Sequence, residues 1–142
     1  MAVKQLSVLL DHKPGEMSKV SELLGRDGIN IGGLTLADAG DLAIVRLITD
    51  DPDKAESVLN SAGYHVKQRE VIAVETPDHP GGLNAVLKPL SDAGINVKYF
   101  YPYLRRVDQE AVLIFRTEDN EKAEEALRSN WIRILGEEIY SL

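Results

Sequence analysis

Two short stretches carry the residue types that could do chemistry, Asp11-His12-Lys13-Pro14-Gly15-Glu16-Met17 and Asp78-His79-Pro80-Gly81-Gly82-Leu83. Each follows an apolar run and opens a helical pattern, so each is expected to turn a strand into a helix. Pro14 and Pro80 suit the first helical position, where φ is already set and a missing N–H costs nothing. The glycine after each proline lets a ligand approach the backbone closely. Lys13 and His79 then stand where Ser, Thr, Asp or Asn normally caps a helix. Asp51-Pro52 and Asp119-Asn120 precede the other two helical patterns, each with an Asp placed to cap. Two helices are therefore expected to be capped from within, and two to keep free N–H groups. A carboxylate suits such a free start, because it accepts from those N–H groups and meets the positive end of the helix dipole.

The two stretches belong to an internal repeat. Gly15 matches Gly81, Leu24 matches Leu90, and Gly28-Ile29-Asn30-Ile31 matches Gly94-Ile95-Asn96-Val97, at an offset of 66 (81 − 15). Thr49, Lys54, Ala55, Glu56 and Leu59 match Thr117, Lys122, Ala123, Glu124 and Leu127 at an offset of 68 (117 − 49). The second copy thus carries two extra residues between Asn96 and Thr117. The expected units are residues 1–70 and 71–142, with the seam near Glu70.

Apolar periodicity supplies the elements that position the two stretches. Val3 to Leu10 reads as a strand, and Met17, Val20, Leu23 and Leu24 recur at helical spacing between Pro14 and Asp27, with Gly28 as the stop. Ile29 to Ala37 and Leu42 to Thr49 read as strands about an Ala39-Gly40-Asp41 turn. A helix from Asp51 ends at Gly63. Tyr64 to Val74 is extended, and joins the last strand of one copy to the first of the next. The second copy repeats this pattern. It has a helix from Pro80 to Ala93 that Pro89 should kink or shorten, strands at Ile95 to Tyr103 and Ala111 to Thr117, a helix from Glu121 to about Asn130, and a closing strand from Ile132 to Tyr140. Trp131 reads as packing. The expected fold class is α+β: two ferredoxin-like βαββαβ units, each an antiparallel sheet with its helices on one face.

Composition excludes several function classes. The 142 residues hold 44% hydrophobic and 27% charged side chains, the balance of a globular protein. With no cysteine, disulfides, iron–sulfur clusters and thiolate metal sites are excluded, and a cytoplasmic location is expected. No apolar run approaches the ~20 residues of a membrane span. A net charge of −7 argues against nucleic acid or a membrane surface as partner. His12 and His79, with Asp11 and Asp78, show no ligand pair at helical spacing, so no metal is expected. No phosphate-binding loop, nucleophile elbow or HExxH pattern occurs, and no enzyme activity or cofactor is expected.

The polar residue two before each Pro-Gly, the apolar helix and the Gly-Ile-Asn-(Ile/Val) that follows resemble the ACT domain, a small-molecule-binding regulatory module of amino-acid metabolism. Both copies carry the pattern, so the whole chain resembles a stand-alone tandem ACT protein. The resemblance implies an amino acid bound where the first loops of two ACT units approach each other. It places His12 and Asn30 of copy one, and Asp78 and Asn96 of copy two, against the ligand's charged groups. Gly15, Glu16, Met17, His79, Gly81, Gly82 and Leu83 would supply loop contacts. The family position usually holds Asp or Asn, so Asp78 fits and His12 departs, and the two copies need not bind alike.

Simpler roles stand beside these. Asn30 and Asn96 could stabilise turns, and Asp78 could satisfy a nearby N–H. The Pro-Gly pairs could serve as strand-to-helix punctuation. The alternative function is a ligand-free scaffold or regulatory subunit acting on a separate metabolic enzyme through protein contacts. Small sheets expose edges that are normally paired or covered, so a homodimer is expected, with Tyr99 to Tyr103 near an interface.

Overall fold

The computed structural model describes residues 2–142. Met1, with which the expected first unit begins, lies outside the described residues. Along the chain run β1 (Val3–Asp11), α1 (Glu16–Arg26), β2 (Ile31–Ala39), β3 (Leu42–Thr49), α2 (Pro52–Ser61) and β4 (His65–Thr76). There follow α3 (Gly82–Asp92), β5 (Val97–Pro102), β6 (Ala111–Thr117), α4 (Asn120–Arg128), β7 (Ile134–Leu135) and a 3-10 helix, Glu137–Ser141. The chain divides into two compact units, Lys4–Arg69 and Glu70–Leu142, and Ala2 and Val3 group with the second. The division falls within β4.

Each unit has the βαββαβ order of a ferredoxin-like fold. In the first, β2 pairs β3, β3 pairs β1, and β4 lies beside β1. Leu34 faces Leu47 and Val8 faces Val45 across antiparallel ladders. In the second, β5 pairs β6, β6 pairs β4, and β7 pairs β4, again antiparallel, with Tyr101 facing Ile114 and Val74 facing Leu113.

The cores show why the repeat exists. Val20 and Leu24 of α1 are buried, as are Val86 and Leu90 of α3 at the same places in the second copy. Ala55 and Leu59 of α2 likewise recur as Ala123 and Leu127 of α4. Every helix thus turns one i, i+4 pair onto its sheet. The sheets answer with Leu6, Val8 and Leu47 in one unit, and Ile72, Val74 and Phe115 in the other. Truncating a fully buried leucine of this kind to alanine costs about 2–5 kcal/mol.

Two expectations fail, and a third fails in part. The closing strand does not run from Ile132 to Tyr140; only Ile134 and Leu135 pair with β4. After Gly136 the chain turns into the 3-10 helix, which buries Ile139 and leaves its carbonyl to accept from the Tyr103 hydroxyl at 3.1 Å. Pro89 does not shorten α3, which has 11 residues like α1. It sits in the last turn of the helix, where its missing N–H costs one ladder bond. Trp131 does not pack, being 94% exposed.

Candidate functional site

The two Pro-Gly stretches form tight turns between strand and helix. Gly15 (φ 89°, ψ −12°) and Gly81 (φ 86°, ψ −7°) are left-handed and immediately precede α1 and α3. With Pro at the second turn position and a left-handed glycine at the third, Lys13–Glu16 and His79–Gly82 have the form of type II turns. They are closed by Glu16 N–H to Lys13 O at 3.5 Å and Gly82 N–H to His79 O at 2.9 Å. Pro14 and Pro80 are therefore turn residues, and the helices begin two residues later than expected. A left-handed residue cannot continue a right-handed helix, so the glycines, and not Lys13 or His79, occupy the cap positions.

The contrast between helix starts is clear. Asp51 accepts from Lys54 N–H at the start of α2, and Asp119 from Lys122 N–H at the start of α4. No side chain caps α1 or α3. Among the described residues, no acceptor meets the backbone N–H groups of Met17 and Ser18, or of Leu83 and Asn84.

The polar side chains beside the two turns differ. In copy one the His12 ring nitrogen Nδ1 lies 3.2 Å from Gly40 O and 3.2 Å from Asp38 Oδ1. A carbonyl can only accept, so Nδ1 carries the hydrogen. Glu16 is ringed by Lys19 at 3.2 Å and Lys13 at 3.9 Å. In copy two Asp78 Oδ2 meets Arg106 Nη1 at 2.6 Å, and Asp78 N–H donates to Glu110 Oε2 at 3.0 Å. The His79 ring donates to Pro80 O at 2.8 Å. Gly82 is tightly enclosed: a Cβ there would lie 1.8 Å from Pro77 O.

Asn30 and Asn96 stand elsewhere. In the second unit Asp78 contacts Glu110, just before β6, whereas Asn96 N–H donates to Glu118, just after it. Asp78 and Asn96 also flank opposite ends of α3, whose 11 residues span roughly 16 Å. Copy one repeats the arrangement, with Asn30 N–H donating to Asp50 Oδ1 at 3.1 Å. Asp50 and Glu118 return backbone N–H groups to the carbonyls of Asn30 and Asn96, both at 3.1 Å. Each Asn is thus clamped through its backbone, while its side-chain amide meets no partner among the described residues. The loop and the Asn of one unit are too far apart to hold one small ligand together. Asn96 instead lines a shallow cavity of about 440 Å³ with Leu87, Leu90, Ser91 and Val97.

Sequence reasoning missed Arg106 and Glu110, the partners of Asp78. The change of offset from 66 to 68 pointed to them, because the two extra residues fall in the β5–β6 hairpin that carries both. Among the described residues no group of three His, Asp or Glu side chains could hold a metal, and no helix is long and apolar enough to cross a membrane.

Comparison with known proteins agrees with this architecture. Residues 1–141 match the ACT domain pair family. The structure is similar to that of protein BT0572 from Bacteroides thetaiotaomicron, with 32% identity, a TM-score of 0.92, and 100% of this chain and 98% of that one covered. It is also similar in fold to the regulatory subunit of aspartate kinase from Thermus thermophilus in its ligand-free form, at 14% identity and TM-score 0.66 over 92% and 94% of the two chains. The corresponding subunit from Thermus flavus has 16% identity and TM-score 0.63 over 92% of each chain. No curated protein matches the sequence. Two βαββαβ units in register and a family match across both make this chain a member of the ACT domain pair family.

Proposed function

We propose that this ACT domain pair is a non-catalytic regulator of amino-acid metabolism that binds an α-amino acid at the turn ahead of α3. One observation carries the reading: α3 starts without a cap, leaving the N–H groups of Leu83 and Asn84 free, a few residues after the half-exposed carboxylate of Asp78. A zwitterion needs donors for its carboxylate and an acceptor for its ammonium, and this loop offers both within a few residues. The fold shared with regulatory subunits of aspartate kinase supports a role in which occupancy is passed to a separate metabolic enzyme. The acting species is a cytoplasmic homodimer, with the Tyr99–Tyr103 segment near its interface. Phe100 is 42% exposed there and stacks on Phe115.

A thermal-shift screen of the twenty common L-amino acids tests the proposal. A binding amino acid at ~100 times its dissociation constant stabilises the fold by about 2.7 kcal/mol. No shift with any of the twenty, at millimolar concentration, contradicts it. Light scattering that finds a monomer at micromolar concentration contradicts the dimer.

A further inference from the structure

The contact between Asp78 and Arg106 has a counterpart in the other copy, with acid and base exchanged. His12 is the repeat equivalent of Asp78 (78 − 12 = 66), and each reaches a residue of the hairpin that follows, Asp38 beside the β2–β3 turn and Arg106 in the longer β5–β6 connection. His12 faces Asp38 at 3.2 Å, and Asp78 faces Arg106 at 2.6 Å. An imidazole carries a full charge only when protonated, whereas a guanidinium is always charged. At this equivalent position copy two therefore holds a permanently charged guanidinium against the loop carboxylate, whereas copy one sets an imidazole against Asp38 and keeps its lysines on Glu16.

The extended hairpin fixes that cation in place. Its tip, Val107–Glu110, turns through two left-handed residues, Asp108 (φ 48°) and Gln109 (φ 68°). Arg106 Nη1 also donates to Gln109 O at 3.1 Å, and Glu110 accepts from Asp78 N–H. The remaining guanidinium N–H groups meet no acceptor among the described residues. Asp78 and Arg106 are both about half exposed, so a small solute can reach them.

We infer that Arg106 is a specificity residue that exchanges Asp78 for the α-carboxylate of the bound amino acid. The inference rests on the amino-acid site proposed ahead of α3. An ammonium that takes over Asp78 strips the guanidinium of its counterion. A ligand that also brings a carboxylate restores the balance, and one ion pair becomes two. An amine without a carboxylate leaves Arg106 unpaired. An N-acylated acid cannot take over Asp78, which then competes with the acid for Arg106. Arg106 and Asp78 together select zwitterions, beyond what the helix start alone provides. Charged hydrogen bonds are about twice as strong as neutral ones, and a planar guanidinium suits a carboxylate's two oxygens.

Calorimetry on the full chain tests this. The probes are the L-amino acid with the largest thermal shift among the twenty, its α-amide and its decarboxylated amine. The parent is expected to favour the acid over the amide and the amine by at least about tenfold. In R106Q that preference is expected to narrow by about tenfold, mostly through weaker binding of the acid, and R106K, which keeps the charge without the planar fork, is expected to fall between the parent and R106Q. An unchanged preference in R106Q overturns the inference while leaving the site itself intact. Equal tightening for all three probes also overturns it, because Arg106 is then only a competitor. A parent that binds none of the twenty amino acids overturns the site and this inference together.

Discussion

Trp131 stands where the repeat places Gly63 (131 − 63 = 68), and it takes the same left-handed backbone, with φ 59° against 91°. Both residues end a helix with the same bonds: Tyr64 N–H reaches Leu59 O, and Ile132 N–H reaches Leu127 O, each at 3.1 Å. That pattern favours glycine, because a Cβ in the left-handed region is strained by about 1–2 kcal/mol. The Trp131 side chain is 94% exposed and offsets none of this through burial. Trp131→Gly is expected to stabilise the fold by about 1 kcal/mol. Gly63→Ala, which meets no atom within 4 Å but still strains the backbone, is expected to destabilise it by a similar amount. Thermal melts of both variants check this; a lower melting temperature for Trp131→Gly would contradict it.

Gly82 and Glu16 occupy equivalent positions (82 − 16 = 66) in different surroundings. A Cβ on Gly82 would sit 1.8 Å from a backbone oxygen, so Gly82→Ala must displace the Pro77 carbonyl. Overpacking of that kind costs roughly 1–3 kcal/mol. Glu16→Ala introduces no overlap and removes ion pairs between a largely buried side chain and the exposed Lys13 and Lys19, and should cost about 1 kcal/mol or less. Equal effects in denaturant titrations would mean that the tight approach at Gly82 does not exist in solution.

The two loops are expected to contribute unequally to binding. Asp78→Ala removes the ammonium partner, and a lost hydrogen bond to a charged group is worth about 1.5–3 kcal/mol. His12→Ala removes only a contact with the Asp38–Gly40 turn and should weaken amino-acid binding far less. Equal losses by calorimetry would mean that both loops build the site.

Asp53 links three elements of the first unit, and predicts part of the acid response. Its carboxylate accepts from Gln68 Nε2 at 3.1 Å and from Lys4 Nζ at 3.2 Å. Those contacts, Gln68 first, hold its pKa below the ordinary value. A depressed folded pKa contributes stability that is present above the unfolded value of about 3.9 and is lost as pH falls through the folded value. Asp53→Asn should therefore melt with a slightly shallower pH dependence below about pH 4 and an unchanged slope at neutral pH. Because Asp53 is exposed, the difference is small. An altered slope near pH 7 would place its effect elsewhere.

Much of the fold could be read from sequence because its determinants are local. Apolar residues at i, i+4 located all four helices, and Asp51 and Asp119 marked two of their starts. The left-handed geometry of Gly15 and Gly81 was harder to read, since Pro-Gly suits both a helix entry and a type II turn. The end of the chain misled because Ile132, Ile134 and Ile139 imitate a strand, while Gly136 and burial of Ile139 decide otherwise. The polar neighbourhood of Asp78 depends on a contact across 28 residues to Arg106, which periodicity does not reveal. Asn30 and Asn96 share their unit's loop in sequence motif only, because a full helix lies between them.

The N–H groups of Leu83 and Asn84 offer the most direct measurement. Backbone amide resonances of the full chain would be followed by NMR during titration with the amino acid that most stabilises it. If its carboxylate docks on α3, the Leu83 and Asn84 amide protons shift downfield and saturate with the calorimetric affinity, and the α-amide of the same amino acid leaves them nearly unmoved at equal concentration. Saturable binding that leaves both resonances in place would contradict docking at this helix start.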